Sequence, residues 1–575
     1  MQKKRWILPE SMESEMANQL MSAINVSAPI ANILINRGIT NFEQAKEYFR
    51  PSLEMLHDPF LMAGMEAAVD RLVNAIGTGE KILIYGDYDV DGTTSVAMFY
   101  HFLSSFYDHC EYYIPDRYKE GYGVSLAGVD YAEENNFSLI ITLDCGIKSN
   151  DLVSLASKKG IDFIICDHHE PDNVLPPAVA VLDPKRTDCP YPYKELSGCG
   201  VGFKFIQAFL LSHPDIGFDP FSLLDLVCVS IAADIVPITG ENRVLAYYGL
   251  QKLARDPHPG LAALMEVAGI QQNDVTISRV VFGLAPRINA AGRLEDAKYA
   301  VRLMLATDAE PAQNFARQLD GHNQQRKDID RLITSQAHDM ILENGWTEAN
   351  TTVLFQPDWH KGVIGIVASR CIESYYRPTV ILTETHDGIL TGSARSVDGF
   401  DLYSALLKCS DLLEQFGGHK HAAGMTLRNE NLEAFRSRFE AVVSSEITSD
   451  LLTPSIIIDT RISLDDINPK FFRIMQQMAP FGPGNAEPVF VAEDLIARDV
   501  RAFSARNNPD SNHLKLRIGQ YGCTSTFEAI GFGMGEYADQ LKKNPQGFGM
   551  AFAVAENRYM GRVSLQLYIK DIRWE

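Results

Sequence analysis

The sequence predicts an α/β protein: a parallel-sheet domain, a long helix leading to a second α/β domain, and a small β-barrel at the end. Three observations predict it. Between residues 66 and 240, short apolar runs alternate with helical stretches. Residues 296–343 carry a thin apolar stripe near helical spacing. From Ile456 onward the apolar–polar alternation has the period of short strands. A chain of 575 residues also exceeds what one hydrophobic core holds, roughly 250–300 residues, so several domains are expected.

In chain order, residues 10–50 read as short helices. Ser11 and Asn41 are suited to capping them, and Pro51 stops the last. A helix from Met65 to Ile76 leads into the apolar run Lys81–Tyr85, then an acidic loop, then a helix from about Thr94. The rhythm returns at Leu139–Leu143, Phe163–Cys166 and Ala178–Leu182. Such runs are strands buried on both faces, and each ends in polar or acidic residues. In the stripe from Asp308, Ala312, Phe315, Leu319, Ile329, Leu332, Ile333, Met340 and Ile341 fall near helical spacing, and Gly345 ends it. A nearly continuous helix with so narrow a face connects domains. The second unit begins with a strand Thr352–Phe355, a helix Ile364–Ser374 and a strand Thr379–Thr383. Leu514–Ile518 and Val563–Tyr568 are examples of the barrel strands. The expected boundaries are 1–50, 51–295, 296–343, 344–455 and 456–575.

Composition narrows the function classes. With 46% hydrophobic and 22% charged residues the chain is globular rather than disordered. A formal charge of −22 excludes a wholly basic wrapper for nucleic acid but permits a local basic groove. Nine scattered cysteines without a CxxC pair argue against a disulfide framework or zinc ribbon and suit a reducing cytoplasm. No run approaches ~20 apolar residues, so neither a membrane span nor a signal peptide is expected.

The chemistry concentrates at strand ends. GDYDVDG, residues 86–92, supplies Asp87, Asp89 and Asp91 directly after the first strand. In extended backbone this spacing places all three on one face, and a bound cation makes such crowding inexpensive. An EF-hand loop would need Glu where Met98 stands. LDCG adds Asp144 and CDHHE adds Asp167, His168 and His169. IAADIVPI places Asp234 in an apolar segment, where it needs a partner. Taken singly, GDYDVDG is also readable as an Asp-rich solvated turn, Asp144 as a helix cap, the His-His pair as accidental, and Asp234 as a cap or ion-pair member. Together they converge on the carboxyl edge of one sheet, where α/β folds bind ligands. Carboxylates with one or two histidines and no thiolates suit Mn²⁺ or Mg²⁺ better than structural zinc. Two such ions serve phosphodiester hydrolysis.

These four motifs together resemble the DHH phosphoesterase superfamily, named for the triplet found here as Asp167-His168-His169. Within it the chain resembles the RecJ family of bacterial exonucleases. That likeness extends to IPDRYKEGYG (114–123), APRINAAGRL (285–294), NQQRKDID (323–330), GGHKHAAG (417–424) and PFGPGNAEPVF (480–490). The resemblance implies a DHH catalytic domain, a DHH-associated substrate-binding domain and an OB-like barrel. It implies metal ligands at Asp87, Asp89, Asp91, Asp144, His168 and Asp234, for two Mn²⁺ or Mg²⁺ ions. Asp167 is then expected to orient a histidine and His169 to face the phosphate. Tyr85 stands where smaller members carry a histidine, and Asp87 is extra. Gly417, Gly418 and His419 are implied in substrate binding.

Residues 279–331 hold nine cationic and seven acidic side chains, +2 in a chain of −22. With the resemblance, Arg287, Asn289, Arg293 and Arg326 are expected to line a channel that follows the phosphate backbone without reading sequence. Phe503, Phe527 and Phe532 are candidates for base stacking on the barrel. The function implied is 5′-to-3′ hydrolysis of single-stranded DNA to mononucleotides in recombination and repair. A barrel that narrows the entrance would exclude duplex. Family role also implies a single-stranded-DNA-binding protein and a RecQ-type helicase as partners. Two other readings stand beside this one. A hydrolase of short oligonucleotides or cyclic dinucleotides would not need residues 456–575. A non-catalytic single-strand-binding scaffold would be expected to have lost some of the carboxylates.

Overall fold

The computed structural model describes residues 4–9, 15–386, 388–505, 508–559 and 561–574; the expected cap Ser11 lies outside them. The chain divides into two compact units. One comprises residues 1–51, 448–479 and 485–575; the other comprises 52–447 and 480–484.

The larger unit opens with a five-stranded, all-parallel sheet. Its order is Cys110–Tyr113, Ile82–Gly86, Leu139–Leu143, Asp162–Cys166, Ala180–Leu182. The edge strand Cys110–Tyr113 has too few apolar residues to be legible in the sequence. The central strands are buried along their length. Gly86 is level with Leu143, Leu143 with Cys166, and Cys166 with Leu182. The next residue of each strand, Asp87, Asp144, Asp167 and Asp183, therefore leaves the sheet in one row.

The acidic loop differs from the extended geometry expected of it. The following helix is Val90–Ser104 and starts four residues before Thr94. Asp89 is its N-cap, accepting a 3.0 Å hydrogen bond from the Gly92 N–H, and Asp91 lies in its first turn. Only Asp87 remains in the strand-to-helix link. Capping competes successfully with extension because Gly92 lets the first turn close over Asp87: a Cβ there would overlap the Asp87 backbone.

The expected helix 296–343 is two helices, Lys298–Met304 and Ala309–Glu343. Pro311 explains the break. Without an N–H, and with a ring that collides with the carbonyl four residues earlier, it fits only a first turn. Asp308 is the N-cap, and Gly345 adopts φ 68° just beyond the C-terminus. Ala312, Ala316 and Leu319 enter the core of the first domain, whereas Ile333, Ala337 and Ile341 enter that of the next. Leu332, expected in the stripe, is exposed.

The second domain is a mixed five-stranded sheet in the order Gln415–Gly418, Ala422–Arg428, Ile389–Arg395, Thr379–His386, Thr352–Phe355; only the last pair is parallel. Residues 417–424 form a β-hairpin.

In the smaller unit, the strands Phe490–Ala505, Asn508–Gln520, Thr526–Gly531, Arg562–Trp574 and Gln546–Tyr559 follow one another. Gln546–Tyr559 pairs back with Phe490–Ala505 and closes the barrel. Several strands are longer than expected, with register shifts that let them bend around it. The N-terminal helices belong to this unit, as does a short strand, Arg5–Ile7, parallel to Ser455–Ile457.

Candidate functional site

Four segments meet at the carboxyl edge of the parallel sheet. His168 Nε2 lies 3.1 Å from Asp144 Oδ1, 3.5 Å from Asp234 Oδ2 and 3.8 Å from Asp91 Oδ2. Asp144 follows its strand at φ 60°, a conformation aspartate tolerates. Asp234 is the C-cap of the helix Leu224–Ala233. Asp91 is held by three strong donors: the backbone N–H groups of Gly198 (2.7 Å) and Cys199 (2.9 Å), and the Ser230 hydroxyl (2.6 Å). The first two belong to the helix Gly198–Ser212, whose N-terminus is aimed at the carboxylate.

Asp87 is buried in the same row. Its Oδ1 accepts from the Gly123 N–H at 3.2 Å. Burial, then the charge of Asp89, pushes its carboxyl up to about 8. Burial, then Asp91 and Asp89, brings Asp234 also up to about 8. Asp89 and Asp144 are raised by burial and then by Asp91. Burial lowers His168, partly offset by Asp91, and so favours its neutral, ligating form. Carboxylates so crowded resist joint ionisation without a cation among them.

The donor chemistry fits divalent cations. Asp91, His168 and Asp234 offer atoms within 4.8 Å of one another, and so do Asp144, His168 and His169. Among the described residues, the buried atoms Asp87 Oδ2, Asp144 Oδ1 and His168 Nε2 meet no neighbour in hydrogen-bond geometry. Orphaned polar atoms of this kind are costly unless something completes them.

Asp167 accepts from the backbone N–H of His168 at 2.7 Å and of Ile147 at 2.9 Å. Its Oδ1 also lies 2.7 Å from His169 Nδ1. Burial opposes its charge, but the His169 hydrogen bond and the nearby imidazoles bring it down to about 2. Burial likewise opposes charge on His169, which the Asp167 contact overrides to about 9. The other His169 nitrogen, Nε2, is 3.1 Å from the Tyr122 hydroxyl. The imidazole expected to face a phosphate is thus engaged at both nitrogens.

The expected substrate residues divide. Arg293 lies in a cavity of about 450 Å³ with Arg117, Lys361, Ser393, Arg395 and Gly417. Burial, then the charges of Arg117, Arg326 and Arg395, lowers its guanidinium to about 10. Arg326 donates to Asn323 at 3.1 Å, and among the described residues its buried Nε has no hydrogen-bond partner. Arg287 instead binds Asp320 at 2.8 Å and Gly283 O at 2.6 Å, pinning its helix to the long one. Asn289 is half-buried on that helix. Among the described residues, nothing lies within 4 Å of a Cβ placed on Gly417. Gly418, at φ 145°, is required by the hairpin, because a Cβ would strike Ala422 and Ala423. The His419 N–H donates to Ala422 O at 2.8 Å; burial, then the charges of His421 and Arg395, lowers its imidazole.

On the barrel, Phe503, His513, Phe532 and Tyr568 form a row with centroids 5.3, 5.3 and 5.8 Å apart. Phe527 is in register with Ile518 instead. The sequence alone does not single out Arg117, Arg395, Tyr122, Gly198 or Ser230. The first and third lie in IPDRYKEGYG, and Gly198 lies in Ser-Gly-Cys-Gly, a cap followed by glycines that signals a helix start against an anion.

Models of known families match in the same order. The DHH family N-terminal domain matches residues 81–231, the DHHA1 domain 348–445 and the RecJ OB domain 458–571. The single-stranded-DNA-specific exonuclease RecJ of Bacillus subtilis (strain 168) is 36% identical over 99% of this chain and 71% of its own length. The chain belongs to the RecJ family. The Haemophilus influenzae RecJ is 33% identical over 95% of this chain and 97% of its own. The crystal structure of RecJ in complex with Mn²⁺ from Thermus thermophilus superposes with a TM-score of 0.84 at 28% identity. It covers 99% of this chain and 80% of that one. The Mg²⁺ complex from the same source gives 0.77 at 26% identity, covering 99% and 78%. The three-part architecture expected from the sequence, with its OB barrel, is that of the family.

Proposed function

We infer that the chain is a divalent-cation-dependent, single-stranded-DNA-specific exonuclease of DNA recombination and repair. The observation that carries this reading is the convergence of Asp91, Asp144, His168 and Asp234, with orphaned buried donor atoms among them, in a RecJ-family fold. Asp87, Asp89, Asp91, Asp144, His168 and Asp234 would hold two Mn²⁺ or Mg²⁺ ions. Bound cations would acidify the attacking water and neutralise charge on the phosphodiester.

The chain's own groups account for the rest. Gly198, Cys199 and Ser230 hold the Asp91 carboxylate aimed at the site. Asp167 keeps His169 oriented and charged beside the site, where exchanging the Tyr122 hydroxyl for a phosphate oxygen would bring its Nε2–H onto substrate. Arg117, Arg293 and Arg395, which line one cavity and form no ion pair among the described residues, present guanidinium groups to a phosphate, with Gly417 letting a strand approach the backbone. Contacts of this type carry no base information, so cleavage is expected to be sequence-neutral.

Polarity from 5′ to 3′, release of mononucleotides and a cytoplasmic location complete the reading, as does work beside a single-stranded-DNA-binding protein and a RecQ-type helicase. Among the described residues, no helix is long and apolar enough to cross a membrane. The test is digestion of end-labelled single- and double-stranded oligonucleotides with each ion, using D144N as control. Single strands should be shortened from the 5′ end only with Mn²⁺ or Mg²⁺. D144N should lose at least about 10²-fold in rate, the scale for removing a key electrostatic group. Full activity of D144N would overturn the site. Preference for two- to five-residue oligomers over long strands would favour the short-oligonucleotide hydrolase.

A further inference from the structure

We propose that Ile235 is a substrate-contacting residue, its side chain giving an apolar face to the sugar and base of the nucleotide held at the Asp234 side of the metal site. The inference rests on the nuclease reading above and adds a determinant of how the strand is seated.

The backbone supplies the first observation. Ile235 sits at φ 61°, in the left-handed region. Among the described residues, the other non-glycine residues at positive φ are all asparagine or aspartate: Asn25, Asn136, Asp144, Asp494 and Asp499. Those side chains tolerate this region, whereas a β-branched one collides with its own backbone. The position directly follows the C-cap Asp234, where helices commonly place Gly or Asn.

The conformation is imposed from both sides. The Asp234 N–H donates to Ser230 O at 2.9 Å, and the Ile238 N–H donates to Pro483 O at 2.7 Å. Pro237 O accepts from the Tyr193 hydroxyl at 3.2 Å and from Asn242 Nδ2 at 3.1 Å. A turn so determined would form with Gly or Asn at lower cost.

Burial does not explain the isoleucine either. Val236 and Ile238 point into the core, whereas Ile235 is 63% exposed. A strained, exposed, branched apolar side chain therefore stands next to a carboxylate whose Oδ2 is 3.5 Å from His168 Nε2. At a site for nucleotides, the partner that rewards this placement is the apolar face of a deoxyribose and its base. One well-placed apolar contact is worth about 10–200-fold in specificity.

The test compares the wild type with I235N, I235G and I235V in the full chain. Thermal melting, Mn²⁺ affinity by calorimetry, and kcat and KM on a single-stranded oligonucleotide are measured. Asn and Gly relieve the strain, so both variants should melt about 1–3 °C higher. Both should keep Mn²⁺ affinity within about threefold and lose at least about tenfold in kcat/KM, mainly through KM. I235V, which keeps a branched apolar face, should restore most of that loss. Unchanged kcat/KM in a more stable I235N would make Ile235 only an ill-suited cap and overturn the inference. A lower melting temperature, or a rate loss matched by lost Mn²⁺ affinity, would overturn it too. A wild type that fails to degrade single strands would instead sink the nuclease reading itself.

Discussion

Gly198 is the most sensitive test of how the metal-site carboxylates are placed. A Cβ on this residue would stand 2.5 Å from Asp144 Cβ and 2.7 Å from Asp144 Cα. Carbon atoms at rest are ~3.5–4.0 Å apart, so the helix start and the strand end must separate by about 1 Å. Backbone cannot rotate aside as a long side chain can. Gly198 also donates its N–H to Asp91 Oδ2 at 2.7 Å, a bond to a charged acceptor worth ~1.5–3 kcal/mol. G198A therefore moves two of the candidate metal-binding carboxylates at once. Overpacking of this kind costs ~1–3 kcal/mol of stability, and a 1 Å misplacement of catalytic groups costs ~10²-fold in rate. The assay is hydrolysis of a single-stranded oligonucleotide at saturating Mn²⁺, with Mn²⁺ affinity and thermal melting alongside. G321A is the control: it lies on the long helix with no described residue within 4 Å of its Cβ, and should melt slightly higher with unchanged rate. If G198A digests within twofold of wild type at unchanged melting temperature, the tight apposition of Gly198 and Asp144 is not what sets the site.

Metal removal should expose the crowding as a pH effect. With EDTA, Asp87 and Asp234 titrate near 8 when folded, against 3.8 as the ordinary value, so the folded state binds the extra protons. Their contribution to stability is complete at low pH and is lost as pH rises toward about 8; His169, raised to about 9, acts in the same direction. The melting temperature of metal-free protein should fall between pH 5 and 8.5, and saturating Mn²⁺ should flatten that fall; an equally flat curve in EDTA would contradict it. R395A should raise KM for single strands and make the slope of affinity against log salt shallower by about one unit, with little sequence dependence; an unchanged slope would remove Arg395 from the phosphate path. F532A should weaken binding of a long single strand by ~1–3 kcal/mol while sparing the hydrolysis of very short oligomers; equal effects on both would place Phe532 outside strand binding.

Much of the architecture was legible because it is written locally. The helix Ile364–Ser374 and the strands Leu139–Leu143 and Thr352–Phe355 occur where apolar period and flanking residues indicated. Asn41 caps its helix by accepting from the Gln44 N–H. The failures are also local, where two signals competed. Alternating aspartates favoured extension, but Asp89 and Gly92 closed a helical turn instead. A sustained stripe favoured one long helix, but Pro311 divided it.

By itself, the sequence determined the fold class, the family and the strand ends on which the acidic residues lie, because strand length, capping and motif spacing depend on near neighbours. The tertiary structure alone decided which groups share a space. Arg117, Arg293 and Arg395 come from three distant segments and carry no common signal. Asp91 depends on Ser230, 139 residues later. Arg287, so similar to Arg293 in sequence context, was turned toward Asp320 by the packing of one helix on another. Sheet register and helix packing act through space, and neither can be read from the order of residues in any one segment.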